Sequence, residues 1–273
     1  MKQQGWWACG MWALLALGAG GCTRQEPRAP LTYEGSGIIA GTALPELISG
    51  YQGAGRRHFA SLGTIGSSEG FRAVMEGRAD VGGLSRSLKS GEKAQHPYYA
   101  IIGYDALAVF VHPDNPVKSL TRAQLKALFT GTARRWKDVG GGDVPVVLVT
   151  QNLSGTSGTA SFFSETVMEG AAYAPTQVQP EMADCLEQVA KNPDAMTWGS
   201  FSSHHPGVRV LPVDGVQPGP GTIRTADYPL SRPLVLVSRT VPEGDLKAFF
   251  DHVMSAEGQA VVAKHFVSLR EGR

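Results

Sequence analysis

The chain has 273 residues, 25 Lys and Arg against 24 Asp and Glu, and 42% hydrophobic side chains. That length and apolar share are enough for one large or two medium domains with a substantial core. Charge balanced this closely, with no basic stripe and no like-charge block, argues against a nucleic-acid surface and against a charged disordered tail.

Residues 1–21 carry Lys2 as their only charge, an apolar run through Met11-Trp12-Ala13-Leu14-Leu15-Ala16-Leu17, and a small-residue end before Cys22. This reads as a secretion signal, too short to remain as a membrane span. Gly18-Ala19-Gly20-Gly21-Cys22 resembles the lipobox of bacterial lipoproteins, which implies cleavage before Cys22 and acylation of its sulfur. Residues 22–30, polar and proline-bearing, are then a tether. The expected location is the periplasm or cell surface, lipid-anchored to the membrane. Of three cysteines, Cys9 leaves with the signal and Cys22 takes the lipid, so Cys185 has no partner for a disulfide. Cys185 sits in a helical pattern, Met182 to Ala190, and reads as a core residue rather than a nucleophile.

Leu31 to Gly35 reads as a short strand entering Gly35-Ser36-Gly37, after which Leu44, Leu47, Ile48 and Tyr51 follow helical spacing. The same strand, Ser/Gly turn and helix recur from His58 to Gly77, with Phe71, Val74 and Met75 as the buried stripe and Gly77 as the stop. Ala79 to Leu88 ends a short apolar strand on Ser85-Arg86-Ser87, where a guanidinium suits paired hydrogen bonds to an oxyanion. A surface arginine at a strand end is the plainer alternative. Tyr98 to Val111 is nearly continuous apolar sequence, the pattern of a strand buried on both faces of an open parallel sheet.

The next helix is clearly marked. Thr121 is its N-cap, Gln124 completes a capping box, Leu120 and Leu125 form a staple, and Gly131 ends it. Arg134 and Arg135 follow on what reads as a solvated loop. Leu148 to Phe163 then breaks from a β-branched strand into Ser154-Gly155-Thr156-Ser157-Gly158-Thr159 and resumes as an amphipathic helix starting near Ser157. Its hydroxyls, its glycines and the unpaired amides of a helix start make a place to hold an oxyanion. An ordinary Ser/Thr cap is the competing reading, and three such turns in one chain weaken it.

Met196 to Phe201 and Gly207 to Val213 read as short strands around Ser202-Ser203-His204-His205-Pro206. These histidines lack partners at metal-ligand spacing and read as a loop. Tyr228 to Ser238 is another buried strand. Two helices close the chain, one with Leu246, Phe249, Phe250, Val253 and Met254 as its stripe, the other starting at Ser255.

The order Gly35-Ser36-Gly37, Gly66-Ser67-Ser68-Glu69-Gly70, Asp80 to Arg86, Leu120 to Gly131, Trp136-Lys137, Ser157-Gly158-Thr159 to Phe162, and Tyr228 to Leu234 resembles the phosphate-binding protein family of ABC importers (PstS-like). It runs from about Leu31 to Val267. The resemblance implies an α/β fold, a two-lobed type II periplasmic-binding-protein clamp, each lobe a mostly parallel sheet flanked by helices. The lobes would be 31–111 plus 226–273 and 112–225, closing by a hinge about Leu107–Val111 and Leu234–Val237. It implies no cofactor and no metal, and as partners phosphate or a similar oxyanion and an ABC importer permease, with the protein a monomer.

Carried over residue by residue, the ligand groups are Ser36 with the amides of Gly37 and Ile38, then Ser67, Ser68, Ser85, Arg86, Ser157, Gly158 and Thr159. Two positions depart from the family pattern. Leu153 stands where the family has an arginine before Ser-Gly-Thr, leaving Gln151 as the residue to take that role through a local insertion. Arg86 stands where some members have an aspartate that accepts the proton of hydrogen phosphate, the acceptor on which selection of phosphate over sulfate depends in the family.

Two other functions compete. Gly66-Ser67-Ser68-Glu69-Gly70 fits the nucleophile elbow of a serine hydrolase using Ser68, but too few residues precede it, and Asp227, His252 and His265 have no flanking pattern as triad partners. The missing arginine also suits a ligand sensor or scaffold that keeps the fold without transport.

Overall fold

The computed structural model describes residues 29–52, 56–151, 158–203 and 205–270. The leader, Cys22 with most of the tether, and Ser154 to Ser157 of the central loop lie outside the described residues. In chain order the elements are β1 (Leu31–Gly35), α1 (Gly37–Ala40), α2 (Ala43–Tyr51), β2 (Phe59–Gly63), α3 (Ser67–Met75), β3 (Val81–Leu84), α4 (Ser90–Lys93), β4 (Tyr98–Val111) and α5 (Arg122–Phe129). They continue with β5 (Val147–Gln151), α6 (Gly158–Phe163), β6 (Gln177–Gln179), α7 (Met182–Lys191), β7 (Ala195–Ser200), β8 (Arg209–Leu211), α8 (Pro220–Arg224), β9 (Ser231–Ser238), α9 (Gly244–Met254), α10 (Ala256–His265) and β10 (Val267–Ser268). Among the described residues no helix is long and apolar enough to cross a membrane.

Local chemistry sets many of these ends. Thr121 Oγ1 accepts from the Gln124 amide while Gln124 Oε1 accepts from the Thr121 amide, closing the capping box that starts α5. Ser255 Oγ accepts from the Gly258 amide to start α10. Gly77 and Gly131 take φ of 76° and 75° just past α3 and α5, a left-handed turn that a Cβ would disfavour. The α2 stripe Leu44, Leu47, Ile48 and Tyr51 is wholly buried, as are Phe71 and Val74 of α3 and Cys185 of α7.

The strands form one mixed sheet in the order β2-β1-β3-β9-β4-β7-β5-β6, with β8 and β10 also on β4. Parallel pairing occurs in two groups of three, β2-β1-β3 and β7-β5-β6. The expectation for β4 needs correcting in its direction. It is buried and apolar, but it runs antiparallel to β7, β8, β9 and β10 alike. An unbroken apolar run reports burial on both faces, which a central antiparallel strand shares with a parallel one.

Two main cores flank this spine. Leu31, Leu44, Leu47, Ile102, Leu234, Phe249 and Val262 pack in one; Leu107, Val109, Val111, Leu128, Trp136, Phe163 and Leu230 pack in the other. Leu107, Val109 and Val111 therefore sit inside the second core, and Leu234 and Leu236 inside the first, while Ala108 and Phe110 face the other way onto Leu186. The chain passes from one core to the other between Ile102 and Ala106 in β4 and between Leu230, just before β9, and Leu234 within it.

Candidate functional site

The carboxyl ends of β1, β2 and β3 lie side by side, and each leads into a turn that carries a serine. Ser36 follows Gly35, whose φ of 147° and close approach to Gly83 leave no room for a side chain. The Ser36 amide donates to Gly83 O, and the Tyr33 hydroxyl donates to Ser36 O at 3.0 Å. Burial, with Glu34 beside it, drives the Tyr33 phenol far above its ordinary pKa, so it stays a neutral donor. The first helical bond of α1 is Ala40 to Ser36, so the Gly37, Ile38 and Ile39 amides have no acceptor within the helix. In α3 the first bond is Gly70 to Gly66, which likewise leaves the Ser67 and Ser68 amides without a helical acceptor.

Ser36, Ser67 and Ser85 are 2%, 1% and 1% exposed, so three hydroxyls are withdrawn from water together. Ser67 Oγ accepts from the Ser85 amide at 3.2 Å, leaving its proton to be donated elsewhere. Ser85 Oγ is buried with no partner among the described residues. Polar atoms this deep are nearly always paired, so an unused hydroxyl beside free amides points to a ligand. The start of α6 closes over them. A Cβ built on Gly158 would collide with both Ser67 Oγ and Ser85 Oγ, which brings the second half of the chain to the serines of the first.

Arg86, 3% exposed, gives Nη1 and Nη2 to the two oxygens of Glu92 at 2.8 and 2.7 Å and bonds Ser68 Oγ through Nη2 at 3.1 Å. Burial pushes the Glu92 carboxyl up, but the hydrogen bonds from Arg86 and the Lys89 amide and the charges of both residues outweigh it and hold the group below its ordinary value. The pair is thus ionised and fixed in place. Gln151 departs from the sequence expectation. It is exposed at the end of β5, in register with Gln179, and has no hydrogen bond to this cluster among the described residues.

A second arginine, which the sequence reading passed over, stands at the same place. Arg232 of β9 lies opposite Asp105 of β4, and its Nε and Nη2 donate to Asp105 Oδ2 at 3.1 and 2.6 Å. Asp105 Oδ1 accepts from Ser200 at 2.8 Å. The two side chains are 0% and 2% exposed, and removing one partner from such a pair typically costs about 3–5 kcal/mol. Arg232 Nη2 also donates to Thr159 Oγ1 at 3.1 Å, reaching the first turn of α6. A charged residue inside each of two apolar strands was the available signal, since buried charges require partners.

The triad alternative finds no geometry. Ser68 bonds Arg86, His265 bonds Glu46 at 2.8 Å, Asp227 accepts from Thr225 at 2.7 Å, and the ring of His252 lies against Gly50. Of the loop histidines, His205 bonds Glu187 and His204 lies outside the described residues. A groove of about 330 Å³ lined by Thr42, Tyr104, Asp105, Phe201 and His265 opens nearby, without a comparable set of free buried donors. The serine and arginine cluster is therefore the candidate site: neutral donors, helix starts and two neutralised guanidinium pairs, a set that suits a small tetrahedral oxyanion and offers no activated nucleophile.

Known proteins resemble this chain throughout. A PBP superfamily domain matches residues 60–257. The phosphate-binding protein PstS of Pseudomonas aeruginosa is 30% identical over 229 residues, covering 73% of this chain and 70% of that protein. PstS of Bacillus subtilis is 28% identical over 197 residues, which span 71% of this chain and 65% of the relative's length. Among solved structures, a Clostridium perfringens substrate-binding protein with bound phosphate superposes with a TM-score of 0.74 at 31% identity, covering 89% of this chain and 100% of that one. An ABC-type phosphate transport receptor from Vibrio cholerae gives 0.79 at 26% identity, with 86% and 98% covered. These relatives are binding proteins, not enzymes.

Proposed function

The chain belongs to the PBP superfamily, among the PstS-like phosphate-binding proteins, and from that premise we propose that it is an extracytoplasmic receptor that binds inorganic phosphate and hands it to an ABC importer. The observation that carries this reading is the buried Ser36, Ser67 and Ser85 set, with Ser85 Oγ unused, pressed against Gly158 from the other half of the chain. Hydroxyls and helix-start amides bind an anion without adding net charge, each helix start contributing roughly 0.3–1 kcal/mol.

In this reading Ser36, Gly37, Ile38, Ser67, Ser68, Ser85 and Arg86 hold the ligand from the lobe 31–111 plus 226–273, and Ser157, Gly158 and Thr159 hold it from the lobe 112–225. Closure bends β4 between Ile102 and Ala106 and β9 between Leu230 and Leu234, and a ligand touching both lobes favours the closed form. A lipid on Cys22 and the tether to Pro30 keep the receptor at the membrane beside its permease.

The test is isothermal titration of the soluble protein beginning at Thr23 with phosphate, sulfate and arsenate, alongside a Ser67→Ala variant. Micromolar or tighter phosphate binding, weakened in the variant and unmatched by sulfate, supports phosphate uptake. Heatless titrations with all three anions and an unchanged melting temperature refute it.

A further inference from the structure

Two buried guanidiniums stand at the anion cluster, each neutralised by a carboxylate, and they differ in what they leave unused. Arg86 spends both terminal nitrogens on Glu92, Ser68 and Ser87 O, which leaves its buried Nε–H without a partner among the described residues. Arg232 spends Nε and Nη2 on Asp105, and Nη1, with two hydrogens, is buried and has no partner among the described residues. Nη1 and Nη2 form the outer edge of the guanidinium, and Nη2 on that edge donates to Thr159 Oγ1. Arginine offers no acceptor, so Thr159 oxygen accepts and its single proton is aimed elsewhere. One unpaired amino group and one unspent hydroxyl proton thus lie together where β9 meets the start of α6, with Gly158, the residue before Thr159, against Ser67 and Ser85.

We propose that Arg232 is a direct anion-binding residue of this site, its free Nη1 and the Thr159 hydroxyl donating to the same tetrahedral oxyanion. It supplies the fork-like cation that the central loop lacks at Leu153, and does so from the hinge rather than from a lobe. The inference rests on the phosphate reading above. Asp105 fixes the orientation of the guanidinium and also offsets its charge, so the site trades affinity for a neutral resting state. Removing that carboxylate while keeping Arg232 exposes the full cation to the anion, an effect opposite in sign to that of breaking an ordinary structural ion pair.

The experiment compares wild type, Arg232→Lys, Asp105→Asn and the double variant Asp105→Asn with Arg232→Gln by calorimetric titration of phosphate, sulfate and arsenate and by thermal melts with and without phosphate. Arg232→Lys keeps the bond to Asp105 and loses the fork, so its phosphate affinity falls at least tenfold. The double variant keeps a neutral hydrogen-bonded pair, folds, and loses affinity further. Asp105→Asn melts lower without ligand and shows a larger phosphate-induced rise in melting temperature than wild type, because ligand then pairs the stranded cation. Folded Arg232→Lys and double variants that bind phosphate as wild type does overturn the proposal and leave the phosphate reading intact, and so does a diminished ligand-induced rise in Asp105→Asn. A wild type that binds none of the three anions removes both.

Discussion

Gly158→Ala isolates the contact on which the proposed closure depends. The glycine opens α6 with no positive φ, so its backbone accepts alanine. The added methyl, however, falls inside the envelopes of Ser67 Oγ and Ser85 Oγ, where ordinary contact begins at 3.4 Å. Relief comes either from holding α6 about an ångström away or from turning both hydroxyls aside, and the second route also breaks the Ser85 amide bond to Ser67. Either way two hydrogen bonds to the anion are lost. At about 1.5–3 kcal/mol each for bonds to a charged group, the loss is about 3–6 kcal/mol, or roughly two to four orders of magnitude in Kd. Calorimetric titration with phosphate reads the loss, and a melt without ligand checks that the variant is folded. A Gly158→Ala protein with wild-type affinity would show that the anion is not held between these serines and α6.

Two other substitutions separate binding from stability. Ser85→Ala removes a buried hydroxyl with no protein partner, so the ligand-free melting temperature holds or rises while phosphate affinity falls roughly ten- to hundredfold; a drop in the ligand-free melting temperature would mean the hydroxyl is paired within the protein. Glu92→Gln tests the clamp on Arg86 through pH. The Glu92 carboxyl is held below the ordinary glutamate value of 4.5 in the folded protein, so its stabilisation is complete above that value and is lost as pH falls through the folded pKa. The melting-temperature gap between wild type and Glu92→Gln should therefore be widest near neutrality and close under acid; a gap constant from pH 7 to pH 3 contradicts the assignment.

The sequence was most informative where structure is local. Thr121 with Gln124, Gly77, Gly131 and Ser255 each act within one helical turn, and each stands where its pattern placed it. The serine turns were legible for the same reason, because a strand, a small polar turn and a helix are contiguous. Direction in the sheet was not, since β4 meets partners before and after it in the chain, and its apolar run is the same whichever way they point. The Asp105 and Arg232 pair escaped because its members are 127 positions apart, and no spacing rule links a charge in one buried strand to a charge in another. Gln151 misled in the opposite way. Its candidacy rests on a family motif and a local insertion rather than on its own surroundings, and it stands exposed at the end of β5.

Strand β9 finishes a sheet begun far earlier. Gly82, Gly83 and Leu84 of β3 pair with Val237, Leu236 and Val235, so the first parallel group keeps an open edge until nearly the whole chain has been made. Pairings that distant pay the entropy of closing a long loop before they gain any contact, and so form slowly. The first parallel group therefore reaches its full set of strand partners only when β9 joins it. Joining strands 150 and more positions apart gives this sheet a high contact order, so completing it depends on contacts that form late and slowly.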